Sequence, residues 1–109
     1  MTVNTEILHF LLGTQVEAQS IIIGAYMDPP ENYEQGPVTP ENAKPRRVVQ
    51  FGRAALQLHN LPGDSLAEKV KETIDAYEAL AAEAEDESAA ADYQAYGNIL
   101  KAFITISTN

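Results

Sequence analysis

The sequence predicts an all-α fold: a small antiparallel bundle of about four helices that forms a single domain over residues 1–109. Three observations lead to this prediction. Apolar residues recur at steps of three and four over most of the chain, the prolines are concentrated in one segment, and the apolar pattern rotates to a new face near residues 85–88. A chain of 109 residues is also long enough to bury one core.

The clearest helical pattern spans residues 65–85, and Ser65 with Glu68 has the spacing of a capping box at its start. Pro62 and Gly63 end the element before it. The apolar residues of this stretch fall on one helix face: Leu66, Val70, Ile74, Tyr77, Ala81 and Ala84. Because the stripe is narrow and rich in alanine, other helices must cover it.

The first helix is predicted over residues 4–26, with Asn4 as its N-cap. The β-branched residues 21–23 leave a short strand as the alternative at its end. The helix is apolar over so wide an arc that Phe10 and Ile21 should lie outside the intramolecular face. Such an exposed apolar patch favours a partner, and a two-fold homodimer is the commonest solution.

Residues 28–45 hold five of the six prolines and are predicted to form a long loop between the first two helices. Thr39 resembles an N-cap followed by proline, but Pro45 should limit the helical structure there to one turn at 40–44. The second helix is then expected over residues 46–59, with Gly52 on its packed face where a neighbouring helix can approach closely.

No proline or glycine occurs between Gly63 and Gly97, so one helix of about 40 residues is a possible alternative to two. The apolar residues after position 88 do not continue the earlier stripe, however. The pattern therefore favours a helical hairpin that reverses at Asp86 and Glu87, with Asp86 or Ser88 capping the last helix.

The net charge of −9 is unevenly distributed. Residues 44–63 contain Lys44, Arg46, Arg47 and Arg53 and no acid, a group called the basic island below. The acidic balance disfavours binding to nucleic acid or to an anionic membrane. No apolar run approaches the length of a membrane helix, no signal peptide is evident, and cysteine is absent, so we expect a soluble, cytoplasmic protein.

Two carboxylate patterns suggest metal chemistry. Glu6 and His9 have the Glu-x-x-His spacing of di-metal helical bundles. Glu72 with Asp75, together with Glu31 and Glu34, resembles the magnesium-binding ExxE…ExxD arrangement of all-α nucleotide pyrophosphohydrolases, although the Glu31 pair falls in the proline-rich loop. One alternative is therefore a metal-dependent hydrolase or di-metal protein that uses Glu6, His9, Glu72 and Asp75.

Other chemistry has little support in the sequence. Cysteine is absent, and His9 and His59 lie within helical patterns, where a half-buried structural role is usual. The six glycines are scattered, so there is no phosphate-binding loop and no cofactor is predicted. Because these catalytic patterns are weak or missing, the sequence favours a protein that is not an enzyme.

The preferred hypothesis is a non-enzymatic protein–protein interaction or assembly protein. Its expected contact residues are Arg46, Arg47 and Arg53 of the basic island and Glu83, Glu85, Asp86 and Glu87 of the segment 83–87, called the acidic tip below. The tip suits a basic partner, and the island should be compensated by the tip or by an anionic ligand. A small acidic inhibitor or immunity-type protein is a further alternative.

Overall fold

The computed structural model describes residues 2–26 and 37–108. Four helices follow one another in these residues: α1 (Thr5–Tyr26), α2 (Ala43–His59), α3 (Gly63–Glu83) and α4 (Glu87–Ser107). Helix α1 packs mainly against α2, and α3 mainly against α4. The two pairs form a flattened body of 43 × 29 × 17 Å. The predicted small all-α bundle is confirmed.

Two of the predicted helix starts are confirmed by their caps. Asn4 Oδ1 accepts hydrogen bonds from the backbone N–H groups of Glu6 (3.0 Å) and Ile7 (3.2 Å). Asp86 Oδ2 accepts from the backbone N–H of Ala89 at 3.1 Å, so the chain reverses at Asp86 and α4 begins at the next residue. Each cap satisfies N–H groups that have no partner within the first helical turn.

Helix α2 begins at Ala43, three residues before the predicted start, and contains Pro45 in its first turn. The prediction was wrong because the first N–H groups of a helix have no intrahelical partner, so the missing N–H of Pro45 removes no hydrogen bond. Thr39 and Asn42 form a reciprocal box ahead of the helix. Thr39 N–H donates to Asn42 Oδ1 at 2.7 Å, and Asn42 N–H donates to Thr39 Oγ1 at 3.2 Å.

The capping box predicted from Ser65 and Glu68 is also wrong. Helix α3 begins at Gly63, and Pro62 occupies the N-cap position without a side-chain hydrogen bond. The earlier start places Ser65 inside the first turn, where both its N–H (3.3 Å) and its hydroxyl (3.4 Å) donate to the Pro62 carbonyl. The helix ends at Glu83, two residues before the predicted end.

All four helices contribute to one apolar core. Its buried members are Leu8, Leu12, Phe51, Leu58, Leu66, Val70, Ile74, Tyr77 and Leu100. The Phe51 ring stacks on Tyr96 at 4.2 Å between centroids with an interplanar angle of 9°, and it meets Tyr77 edge-on at 5.7 Å. These contacts join α2 to both helices of the other pair.

The two ends of the described chain are held together beside this core. Asn4 N–H donates to the Ser107 carbonyl at 2.7 Å, and Val3 forms an isolated antiparallel bridge with Thr108. The Ser107 side chain is fully buried, and its hydroxyl has no hydrogen-bond partner among the described residues. The backbone at this position is therefore stabilising, whereas the hydroxyl is not.

Replacing Ser107 by alanine should leave the free energy of unfolding unchanged or raise it by up to about 1 kcal/mol, because an unpaired buried hydroxyl is removed and no bond is lost. Asn4→Ala serves as the contrasting variant. Because it removes the N-cap of α1, it should lower the free energy of unfolding by about 1 kcal/mol. Urea unfolding measures both values. A loss above about 1 kcal/mol for Ser107→Ala would contradict the assignment.

Alkaline pH should unfold the protein through its buried tyrosines. Burial, aided by the nearby Asp92 charge, raises the pKa of Tyr96 to about 12, and burial also raises the pKa of Tyr77. Because the pKa in the folded state lies above the unfolded value of about 10, this stabilisation is complete below pH ~10 and is lost as the pH rises toward 12.

The double variant Tyr77→Phe, Tyr96→Phe cannot ionise at these positions. Its helical circular dichroism should therefore persist to higher pH than that of the wild type. Equal midpoints for the two proteins in an alkaline titration would show that other groups control the transition.

Candidate functional site

Two large apolar side chains lie uncovered on the outer surface of α1, which also carries Thr14 and Glu17. Phe10 and Ile21 are exposed by 70% and 72%, the two highest values for large apolar side chains in the part of the chain that the structure describes. They stand eleven residues apart, close to three full helical turns, so they point to nearly the same side about 16 Å from each other. The expectation that both lie outside the intramolecular face is confirmed.

A separate apolar groove lies between α1 and α2, and neither Phe10 nor Ile21 lines it. It has a volume of about 250 Å³ and is lined by Val16, Gln19, Ser20, Ile23, Val49, Gly52, Arg53 and Leu56. Helix α1 comes close at this point because residue 52 lacks a side chain: a Cβ there would stand 3.1 Å from Ile23 Cδ1. This confirms the close approach predicted at Gly52.

A second groove of about 400 Å³ adjoins the first. Its lining residues are His9, Phe10, Gly13, Thr14, Val16, Glu17 and His59. Val16 borders both grooves, and Phe10 forms a wall of the second. Phe10 and Ile21 lie on the outer side of α1, whereas Val16, Ile23 and Leu56 line the groove toward α2; we call the surface made by both sets the α1–α2 face.

The two histidines have structural hydrogen bonds. His9 Nε2 lies 2.8 Å from the Leu61 carbonyl, and His59 Nδ1 lies 3.1 Å from the His9 carbonyl. Because a carbonyl oxygen only accepts, both of these ring nitrogens carry a proton, which sets the tautomer of each ring. The rings meet edge to face with centroids 6.1 Å apart. The half-buried structural role expected for both residues is confirmed, and they tie the end of α2 to α1.

The residues proposed as metal ligands are distributed over different surfaces. Glu6 is exposed at the start of α1, while Glu72 and Asp75 are exposed on α3, where Glu72 pairs with Lys69 at 3.0 Å. Over residues 2–26 and 37–108, no three His, Cys, Asp or Glu side chains come together in a way that could hold a metal ion. Glu31 and Glu34 of the magnesium-type pattern lie outside the described residues.

The basic island is paired with Asp92, a residue that the sequence analysis did not single out. Lys44 Nζ lies 3.0 Å from Asp92 Oδ1, and both Nε and Nη2 of Arg47 lie 2.9 Å from Oδ2. For Lys44 and Arg47, the expected compensation by the acidic tip is therefore replaced by an ion pair with α4. Arg47 is only 8% exposed, so its guanidinium and the ion pair with Asp92 lie largely inside the bundle.

The other members of the two charged groups lie at the surface. Arg46 and Arg53 line a polar groove along α2 together with Gln50 and Gln57. The acidic tip is exposed at the turn between α3 and α4, where Glu83 is the last residue of α3 and Asp86 caps α4. A basic partner for the tip stays a prediction.

Helix α1 corrects the expectation that no apolar run in the sequence approaches the length of a membrane helix. Its segment Thr5–Ala25 is long and apolar enough to cross a membrane, since Glu6 and Glu17 are its only charged residues. The core helix of a soluble protein and a signal sequence meet the same criterion, so this finding alone does not assign a location. Only 17% of its most apolar 18 residues are buried, which agrees with an open outer face.

Replacing Asp92 by asparagine should lower the free energy of unfolding by about 3 kcal/mol, because it leaves the charge of Arg47 buried without a partner. Adding Arg47→Met should recover most of that loss, since the uncompensated charge is then absent. Lys44→Ala is the matched control: its ammonium is largely exposed, and we expect a loss below about 1 kcal/mol. Equal losses for the Asp92 and Lys44 variants would contradict this ranking.

No family model, no curated protein and no solved structure matches this chain.

Proposed function

We propose that this protein acts through protein–protein contact, as an interaction or assembly protein, and that the α1–α2 face is its docking surface. The observation that carries the proposal is the pair of exposed apolar side chains, Phe10 and Ile21, of which Phe10 lines an open groove. Large apolar side chains exposed on one side of a helix favour contact with a partner that buries them, and exposed apolar patches often mark contact sites in soluble proteins.

The energetic scale supports a docking role. Fully burying a phenylalanine or isoleucine side chain contributes about 1.5–3 kcal/mol, so the two anchors and the groove together favour association substantially. The broad side of the molecule measures 43 × 29 Å, an area on the order of 1,000 Å². A standard interface needs about 800 Å² from each partner, which a body of this size has room to supply.

The charges favour a protein partner over a lipid surface or nucleic acid. Helix α1 carries Glu6 and Glu17 and no basic residue, within a chain of net charge −9. Arg53 of α2 borders the groove, but anionic membranes and phosphate backbones require broad basic surfaces, so the charge of α1 and of the whole chain disfavours both. A cytoplasmic site of action, consistent with the lack of cysteine, is part of the proposal.

Photo-crosslinking in the native cell tests the docking surface. A photoreactive amino acid at position 10 or 21 should yield discrete protein adducts. The same amino acid at position 80 or 106, where Leu80 (43%) and Ile106 (54%) are also exposed but lie on the other helix pair, should yield none. Adducts with lipid alone at positions 10 and 21, or equal protein adducts at all four positions, would contradict the proposal.

A further inference from the structure

We propose that the second groove, which lies beside Phe10 and the two histidines, binds a guanidinium group, the head of an arginine side chain. The inference rests on the docking surface proposed above, to which Phe10 belongs, and it names the side chain by which the partner is held. We call this groove of about 400 Å³ the histidine groove. Its polar side chains all offer hydrogen-bond acceptors to a ligand.

The two histidines present acceptors because the proton of each neutral ring is already engaged. His9 donates from Nε2 to the Leu61 carbonyl, and His59 donates from Nδ1 to the His9 carbonyl. In a neutral imidazole the second nitrogen carries a lone pair and no proton. His9 Nδ1 and His59 Nε2 make no hydrogen bond with any residue that the structure describes, so both remain able to accept one.

Thr14 and Glu17 complete the set of acceptors. Thr14 donates its hydroxyl proton to the Leu11 carbonyl at 2.7 Å, which leaves the lone pairs of the oxygen for a ligand. Glu17 adds a carboxylate that has no ion pair within residues 2–26 and 37–108. Among the described residues that line the groove there is no lysine or arginine. A ligand that satisfies these groups must therefore donate hydrogen bonds and carry positive charge.

Gly13 and Phe10 shape the groove for a flat cation. A Cβ at Gly13 would stand 3.1 Å from His59 Cε1 and 3.6 Å from His59 Nε2, so the glycine allows this imidazole to lie directly against α1. An acceptor from the end of α2 is thereby brought beside those of α1. Phe10 forms an apolar wall of the same groove. The face of a phenyl ring attracts a cation that stacks on it.

A guanidinium suits this lining better than other cations. Its five N–H donors lie in one plane and reach acceptors on two different helices, and its weak hydration favours stacking on an aromatic ring. A primary ammonium is a compact, strongly hydrated charge with three donors. A metal ion needs ligands gathered around one point, and no three His, Cys, Asp or Glu side chains of the described residues come together in that way.

Titration with N-acetyl-arginine methylamide, followed by NMR at constant ionic strength, tests the site. The ¹⁵N resonances of His9 Nδ1 and His59 Nε2 should both shift as these nitrogens accept hydrogen bonds. N-acetyl-lysine methylamide should bind at least threefold more weakly. Tetramethylammonium, a cation that has no N–H donor, should bind at least tenfold more weakly than the arginine compound.

Variants of the lining identify the groups that hold the ligand. Glu17→Gln should raise the dissociation constant of the arginine compound at least tenfold, because it removes the carboxylate of the groove. Glu6→Gln is the matched control: it neutralises another exposed acid of α1 that does not line the groove, and it should leave the constant unchanged. Phe10→Leu should raise the constant at least twofold while it keeps an apolar side chain at that position.

Three results would overturn the inference. They are the absence of any shift in both histidine resonances up to the solubility limit of the arginine compound, equal affinity for tetramethylammonium, and equal effects of the Glu17 and Glu6 variants. Protein adducts at positions 10 and 21 without arginine binding would overturn this inference alone. Arginine binding without any protein adduct would overturn the proposed docking function and assign the groove to a small guanidinium compound, so the two failures are distinguishable.

Discussion

The attachment of α2 to α4 depends on two adjacent pairs of side chains. Arg47 and Phe51 are one turn apart on α2, and their respective partners, Asp92 and Tyr96, are one turn apart on α4. The ion pair and the stacked rings therefore support each other: the rings exclude water from the guanidinium, and the ion pair holds the two helices at the spacing that stacking needs. The other buried apolar residues, contributed by all four helices, complete the core.

The bundle covers its helices unequally. Helix α3 buries its predicted stripe from Leu66 to Tyr77, whereas the most buried apolar side chains of α1 are Leu8 and Leu12. Ten of the sixteen acids lie in residues 64–92, on the α3 and α4 side or at the turn between them. Net negative charge on that side repels other copies. This charge distribution favours the proposed docking surface on the helix pair that carries the exposed apolar side chains.

Sequence patterns predicted those features that one helix determines by itself. The stripe of α3, the Asn4 and Asp86 caps and the outward position of Phe10 follow from helical periodicity and from local hydrogen bonds. The start of α2 was misjudged because Pro45 was treated as an interior residue. The start of α3 was misjudged because Ser65 matched a cap pattern without occupying the first position.

The ion pair at Asp92 and the groove between α1 and α2 depend on how two helices are positioned along each other. The periodicity within one helix carries no information about that position. One signal for Asp92 was nevertheless present: it stands four residues before Tyr96, on the face of α4 that was predicted to be buried. An acidic side chain on an apolar, packed face requires a cationic partner. Arg47, in the acid-free basic island, was a candidate for that cation.

The contact between Asn4 and Ser107 has a consequence for the order of the helices along the chain. Because residues 3 and 108 are bridged, a short linker is long enough to join these two residues, and the exposed turn at Asp86 is a suitable place to open the chain. In that circular permutant α4 would precede α1, and every helix would keep its present neighbours. The packing of this bundle therefore tolerates more than one connectivity.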